Sequence, residues 1–131
     1  MEAKDVTGES YMSEIWSTLP DVVAEHIAAV NASDEEAIVA TFATDALVND
    51  VHREFWGADA IRGWLAKEVV GDRISIEVTE VITHHGLTVV RGRYDGDYDK
   101  TNLPDELVLT NYFTVSGGTI DNLIIVRNTP V

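Results

Sequence analysis

From Leu19 onward, apolar side chains recur at Leu19, Val23, Ile27 and Val30, with His26 at the edge of the stripe. This is the spacing of one helix face, and it predicts a helix over about 19–31, with Pro20 in the first turn, where a missing N–H costs nothing. Ser33-Asp34-Glu35-Glu36 has the Ser-x-x-Glu form of a capping box, and Ile38, Val39 and Phe42 follow it, predicting a short second helix. Residues 46–51 read as a strand and 52–57 as a connection. Residues 58–69 read as a third helix whose Ile61, Trp64, Leu65 and Val69 share a face. After Gly71-Asp72 the period changes to two: Ile74, Ile76 and Val78 alternate with Ser75, Glu77 and Thr79. Further strands are predicted at 87–94, 106–116 and 119–127, the last two joined through Ser116-Gly117-Gly118, a hairpin signal because glycine tolerates positive φ.

Helices followed by an antiparallel meander predict an α+β domain in which the helices cover one face of a curved, mainly antiparallel sheet. Residues 1–18 show no sustained period, although Tyr11, Met12, Ile15 and Trp16 can form a short docking turn. They are read as an N-terminal arm and 19–131 as a single domain, since 131 residues suffice for one core without staples. No apolar run approaches the roughly 18 residues of a membrane span, and the opening MEAKDVTGESYMSE has no apolar core segment of a secretory signal. The expected location is the cytoplasm, with no membrane partner.

Charge narrows the chemistry. With 23 acidic against 9 basic side chains, the net charge of −14 repels phosphate backbones and anionic lipid, so no nucleic-acid partner is expected. The absence of cysteine removes disulfides, thiolate nucleophiles and cysteine-ligated metals, leaving oxygen and imidazole groups to carry any reaction.

The run AEHIAAVNASDEEAIVATFATDALVND (24–50) resembles the opening of ketosteroid isomerases and SnoaL-like polyketide cyclases, and HREFWGADAIRGWL and YFTVSGGTIDNLIIV extend the resemblance. It covers most of residues 19–127 through core and turn positions. The resemblance implies the cone-shaped fold of nuclear transport factor 2 (NTF2-like), often as a homodimer, and a cofactor-free isomerase or lyase that removes a proton next to a carbonyl. Its partner would be a small apolar or polycyclic molecule. The alternative is a non-catalytic domain that binds a small molecule or dimerises.

In the isomerases an aspartate at the end of the first strand shuttles the proton, and the register places Asp50 there. A partly apolar surround would raise its pKa for that task; otherwise it is a strand-end aspartate accepting turn N–H bonds. The isomerase tyrosine on helix one is replaced by His26, read either as a donor to a developing oxyanion, as the acid paired with Asp50, or as a structural histidine. The late-strand aspartate has no counterpart: Leu109, Thr110 or Asn111 stands there. Even spacing along Leu107, Leu109, Asn111, Phe113 and Val115 turns Asn111 inward, where its amide must bond a ligand, a water or Asp50. Trp56, Trp64, Phe42 and Tyr94 are candidate pocket walls for a flat ligand, or plain core.

Other motifs carry less. Asp95, Asp97, Asp99 and Glu106 match a calcium-loop spacing, but Lys100 replaces the turn glycine and Pro104 interrupts it, so no metal is expected. His84 and His85 are read as turn residues whose side chains point to opposite faces. His52 and Arg53, in the connection after Asp50, are read as solvated residues or as the border of a pocket entrance. An epoxide-hydrolase-like site needs an Asp/Arg/Asp cluster, and none is assembled by spacing.

Overall fold

The computed structural model describes residues 18–128; the docking turn expected at Tyr11–Trp16 falls outside them. Helix α1 spans Asp21–Asn31 and buries Val22, Val23, His26, Ile27, Ala29 and Val30, the stripe expected from the sequence. Pro20 stands just ahead of the first turn, and its carbonyl accepts from Val23 N and Ala24 N. Helix α2 spans Glu35–Val39. Its cap differs from the expected Ser33/Glu36 box. Ser33 takes a left-handed φ of 53° and Asp34 becomes the cap, accepting from Ala37 N at 3.2 Å, while Glu36 is drawn outward to Arg62 at 2.7 Å.

Six strands follow: β1 (Phe42–Asp50), β2 (Arg53–Trp56), β3 (Ser75–His84), β4 (Leu87–Asp95), β5 (Leu107–Ser116) and β6 (Thr119–Arg127), with helix α3 (Gly57–Trp64) between β2 and β3. They form one sheet in the order β2-β1-β6-β5-β4-β3, antiparallel except for the β1/β6 pair. The three helices lie on one face. Helix α3 packs on β1, and α1 packs on β3 and β6. Asn31 ties α1 to β3 as an extra strand residue would: its Nδ2 donates to Ile76 O at 3.0 Å and its Oδ1 accepts from Ile76 N at 2.7 Å.

Two departures from expectation shape the site. The stretch expected to be a plain connection contains β2, because Val51 and His52 both take positive φ (49° and 74°) and make a two-residue hairpin turn. Asn49 Oδ1 accepts from His52 N at 2.9 Å to hold that turn, and Arg53 arrives directly across from Asp50. Second, α3 ends at Trp64 and continues through Leu65–Val69 as a wider π turn, a local device common near functional sites.

Cross-strand rows on the inner face place the core. Val48, Leu123, Phe113 and Thr88 form one row, all buried, in which Thr88 is the one polar side chain. The adjacent row is Asp50, Ile125, Asn111 and Val90. A carboxylate and an amide thus enter the inner face one row beyond the core row. The sheet bends where β3 bulges between Val78 and Glu80, opposite Gly92. A Cβ at Gly92 would lie 2.9 Å from both Glu77 O and Ile76 Cγ2, so the bend requires glycine.

Candidate active site

A cavity of about 190 Å³ opens between the helices and this second row. His26, Asp50, Trp64, Glu68, Tyr94 and Asn111 supply its polar wall, and side chains such as Val30, Ile76, Leu109 and Leu123 supply the rest. The π turn gives Trp64, Glu68 and Val69 a common face toward it.

Asp50 stands at the end of β1 with its side chain 18% exposed. Two donors converge on its Oδ2, Trp64 Nε1 at 3.0 Å and Arg53 Nη2 at 2.7 Å. Oδ1 has no protein hydrogen bond among the described residues. The turn N–H that a strand-end aspartate would accept goes to Asn49 instead. Arg53 also forks onto Glu68, with Nη1–Oε2 at 2.9 Å and Nη2–Oε1 at 2.7 Å. The hydrogen bond to Glu68, then the charges of Asp50 and Glu68, hold the guanidinium protonated beyond its ordinary range. An Asp50–Arg53–Glu68 cluster therefore exists where spacing had assembled none, and Arg53, half exposed, joins two of the carboxylates that line the cavity.

His26 is buried between the rings of Phe42 and Phe113, each edge-on with centroids 5.3 Å away. Burial lowers its pKa to about 4, so the ring is neutral. Thr41 Oγ1 donates its single hydrogen to Ile38 O at 2.6 Å and so must accept from His26 Nδ1, 3.0 Å away. That fixes the proton on Nδ1 and leaves Nε2 an acceptor. The expected role as an oxyanion donor is opposed by this tautomer.

Asn111 is buried, and its partner is Tyr94 rather than Asp50: Tyr94 Oη donates to Asn111 Oδ1 at 2.8 Å, and Asn111 Nδ2 reaches Val90 O at 3.4 Å. Burial, and secondarily the charge of Asp50, push the Tyr94 phenol pKa upward, keeping it a neutral donor. Adjacent strands lie roughly 4.8 Å apart, so with β6 between them the Cα atoms of Asp50 and Asn111 are separated by about 10 Å.

The candidate walls divide. Trp64 and Tyr94 line the cavity. Phe42 sits behind His26 as core, and Trp56 is 64% exposed with its Nε1 donating to Glu54, because the β2 hairpin turns it outward. His84 and His85 do not diverge. The left-handed φ of 56° at His85 brings their rings to 4.4 Å at the β3/β4 turn, away from the cavity. Asp95 pairs with Lys100 and Glu106 with Arg93. Among the described residues no three metal-ligating side chains cluster, and no helix is long and apolar enough to cross a membrane.

Residues 23–122 match the SnoaL-like domain family. The chain belongs to the SnoaL-like family. Solved structures agree with this SnoaL-like assignment. A candidate polyketide cyclase from Sinorhizobium meliloti is 28% identical, with a TM-score of 0.75 over 84% of this chain and 97% of that one. SalBIII, described as an epoxide hydrolase/cyclase-like enzyme in pyran ring formation in the polyether salinomycin, is 21% identical (TM-score 0.72, 83% and 89% covered). A protein of ketosteroid isomerase-like fold from Catenulispora acidiphila, in complex with trimethylamine, is 19% identical (TM-score 0.70, 82% and 85% covered). The last two likenesses concern the fold. No curated protein matches the chain significantly.

Proposed function

We propose that this SnoaL-like domain is a cofactor-independent isomerase or cyclase that abstracts a proton next to a carbonyl. One observation carries the reading: Asp50 lines a mostly apolar cavity with Oδ2 pinned by Trp64 and Arg53, while Oδ1 keeps its lone pairs for substrate. Oδ1 takes the α-proton, the electron pair moves onto the carbonyl oxygen, and the same carboxyl returns the proton to another atom of the enolate. Asn111 Nδ2 is the donor for the developing oxyanion. The Tyr94 hydroxyl, bonded to the Asn111 carbonyl oxygen, polarises that amide and strengthens its N–H as a donor.

The test is deuterium exchange at the α-carbon of a bicyclic ketone such as 2-tetralone, followed by proton NMR in D₂O. The domain accelerates exchange over buffer, and Asp50→Asn, with an unchanged circular dichroism spectrum, loses about 10²–10⁴-fold of it. Ketone binding without exchange would instead identify a non-catalytic pocket domain.

A second reading rests on the Asp50–Arg53–Glu68 cluster. Two carboxylates bridged by a guanidinium suit paired acid–base work on a strained ether, and SalBIII is described as epoxide hydrolase/cyclase-like. Diol formation from styrene oxide that is abolished in Arg53→Gln, against ketone exchange that falls only several-fold with the loss of one Asp50 anchor, distinguishes the two.

We further infer a homodimer formed through the outer sheet face. Ile124, Tyr112, Val89 and Ile82 make one cross-strand row there, of which Ile124, Tyr112 and Ile82 are exposed, and Val126 and Leu87 extend it. Such a contiguous apolar patch is the kind that marks an association surface.

A further inference from the structure

We infer that His26 acts as a specificity-determining acceptor: its cavity-facing Nε2 selects a neutral, hydroxyl-bearing substrate of one or two rings. The inference rests on the proposed use of this cavity as the substrate site and adds what that substrate must present.

The tautomer is set from behind. Thr41 has one hydroxyl hydrogen, committed to Ile38 O, so His26 Nδ1 must be the donor in the Nδ1–Oγ1 contact. A neutral imidazole with its proton on Nδ1 offers only a lone pair at Nε2. No protein group satisfies Nε2 among the described residues, and Arg127 Nε is the only side-chain nitrogen or oxygen there that is both sealed from solvent and unpartnered. Nε2 therefore opens onto the cavity that His26 lines. Covering it with an aliphatic or ether group would leave a buried acceptor unpaired, which is far more costly than losing an ordinary contact.

The other polar groups restrict the ligand further. Carboxylates of Asp50, Glu68 and Asp72 border the same space, which disfavours a carboxylate-bearing ligand. Tyr94 spends its hydrogen on Asn111, leaving its oxygen another acceptor, so Asn111 Nδ2 is the wall's donor. The array asks for a ligand with a hydroxyl or enol hydrogen toward His26 and an acceptor oxygen toward Asn111. At about 190 Å³ the space falls below the roughly 300–1,000 Å³ of drug-sized sites, which sets the ring count.

Fluorescence titration with 2-naphthol, 2-methoxynaphthalene and 2-naphthoate tests this without turnover. Expected is at least about ten-fold tighter binding of 2-naphthol than of either relative, the hydroxyl supplying a bond the others lack. In His26→Leu the naphthol preference over the methyl ether collapses, while the ether binds as well or better; in Asp50→Asn the preference survives. Equal binding of naphthol and ether by the native domain, no naphthol binding, or a preference retained in His26→Leu would each overturn the proposal. A preference lost in Asp50→Asn but kept in His26→Leu would move the hydroxyl to Asp50, refuting this inference while leaving proton abstraction standing. Should His26→Leu not fold, long-range ¹H–¹⁵N spectra of the native domain decide. A protonated Nδ1 and bare Nε2 support the assignment, and the opposite tautomer overturns it. Ketone exchange by Asp50 is measured separately, so either conclusion can fail alone.

Discussion

Trp64 Nε1 donates to Asp50 Oδ2 at 3.0 Å, joining the last α-helical residue of α3 to the end of β1 across the cavity wall. The indole is also stacked on Phe55, centroids 5.8 Å apart, so its packing and its hydrogen bond are separable. Trp64→Phe keeps an aromatic ring for Phe55 and removes the donor. Hydrogen bonds to charged groups contribute about 1.5–3 kcal/mol. The unfolding free energy of Trp64→Phe from urea titration should be lower by about that amount, and ketone exchange should drop several-fold because the carboxylate loses one of its two anchors. A variant matching the parent in both measurements removes the indole from the site.

Arg53 holds two carboxylates at once. Its side chain is about half exposed, so solvent screens the ion pairs and each contributes no more than about 1 kcal/mol. Arg53→Gln leaves Asp50 and Glu68 facing each other without the cation. A lowered melting temperature at low salt that recovers partly at 1 M salt is the expected signature, since salt screens the remaining repulsion. Salt-independent destabilisation would point to lost packing of the guanidinium on Phe55, over which it lies at 5.6 Å.

The buried imidazole makes stability fall in mild acid. The folded pKa of His26 is about 4 against an ordinary 6.5, so between those values the unfolded chain binds a proton that the native state refuses. Stability is whole above pH 6.5, declines as pH falls toward 4, and loses no more from this group below that. The loss sums to about 3 kcal/mol. His26→Gln has no such group, so the difference between native and variant urea midpoints should narrow progressively from pH 7 to pH 4. A constant difference would show that His26 does not titrate with unfolding.

The outer row offers a direct test of assembly. Ile82 is 63% exposed and borders Val89 on β4. Ile82→Glu places a charge in the proposed interface while leaving the inner core untouched. Light scattering after size-exclusion chromatography should report a dimer for the native chain and a monomer for the variant. A native monomer at micromolar concentration ends the homodimer proposal.

Much of the framework was legible from periodicity. The stripe Leu19–Val23–Ile27–Val30, the alternation along 106–116 and 119–127 and the Gly117-Gly118 turn each report a local preference that tertiary packing then reinforces. Strand β2 was hidden because its hairpin turn uses Val51 and His52 in place of the Asn-Gly or Asp-Gly pair that marks a two-residue hairpin. With β2 unseen, neither the meeting of Arg53 with Asp50 nor the outward turn of Trp56 was legible, since the hairpin sets both.

The chain's own pattern of apolar and polar positions determined which segments are helix or strand, and the inward turn of Asn111 followed from a period of two. Only the tertiary structure decided the chemistry of each polar group. Thr41 sets the proton on His26, Tyr94 occupies Asn111, and Arg53, Trp64 and Glu68 surround Asp50, from 3 to 18 residues away in sequence. Burial and periodicity are properties of a segment, whereas a tautomer or an ion pair belongs to two side chains that meet only once the sheet and helices have closed over the cavity.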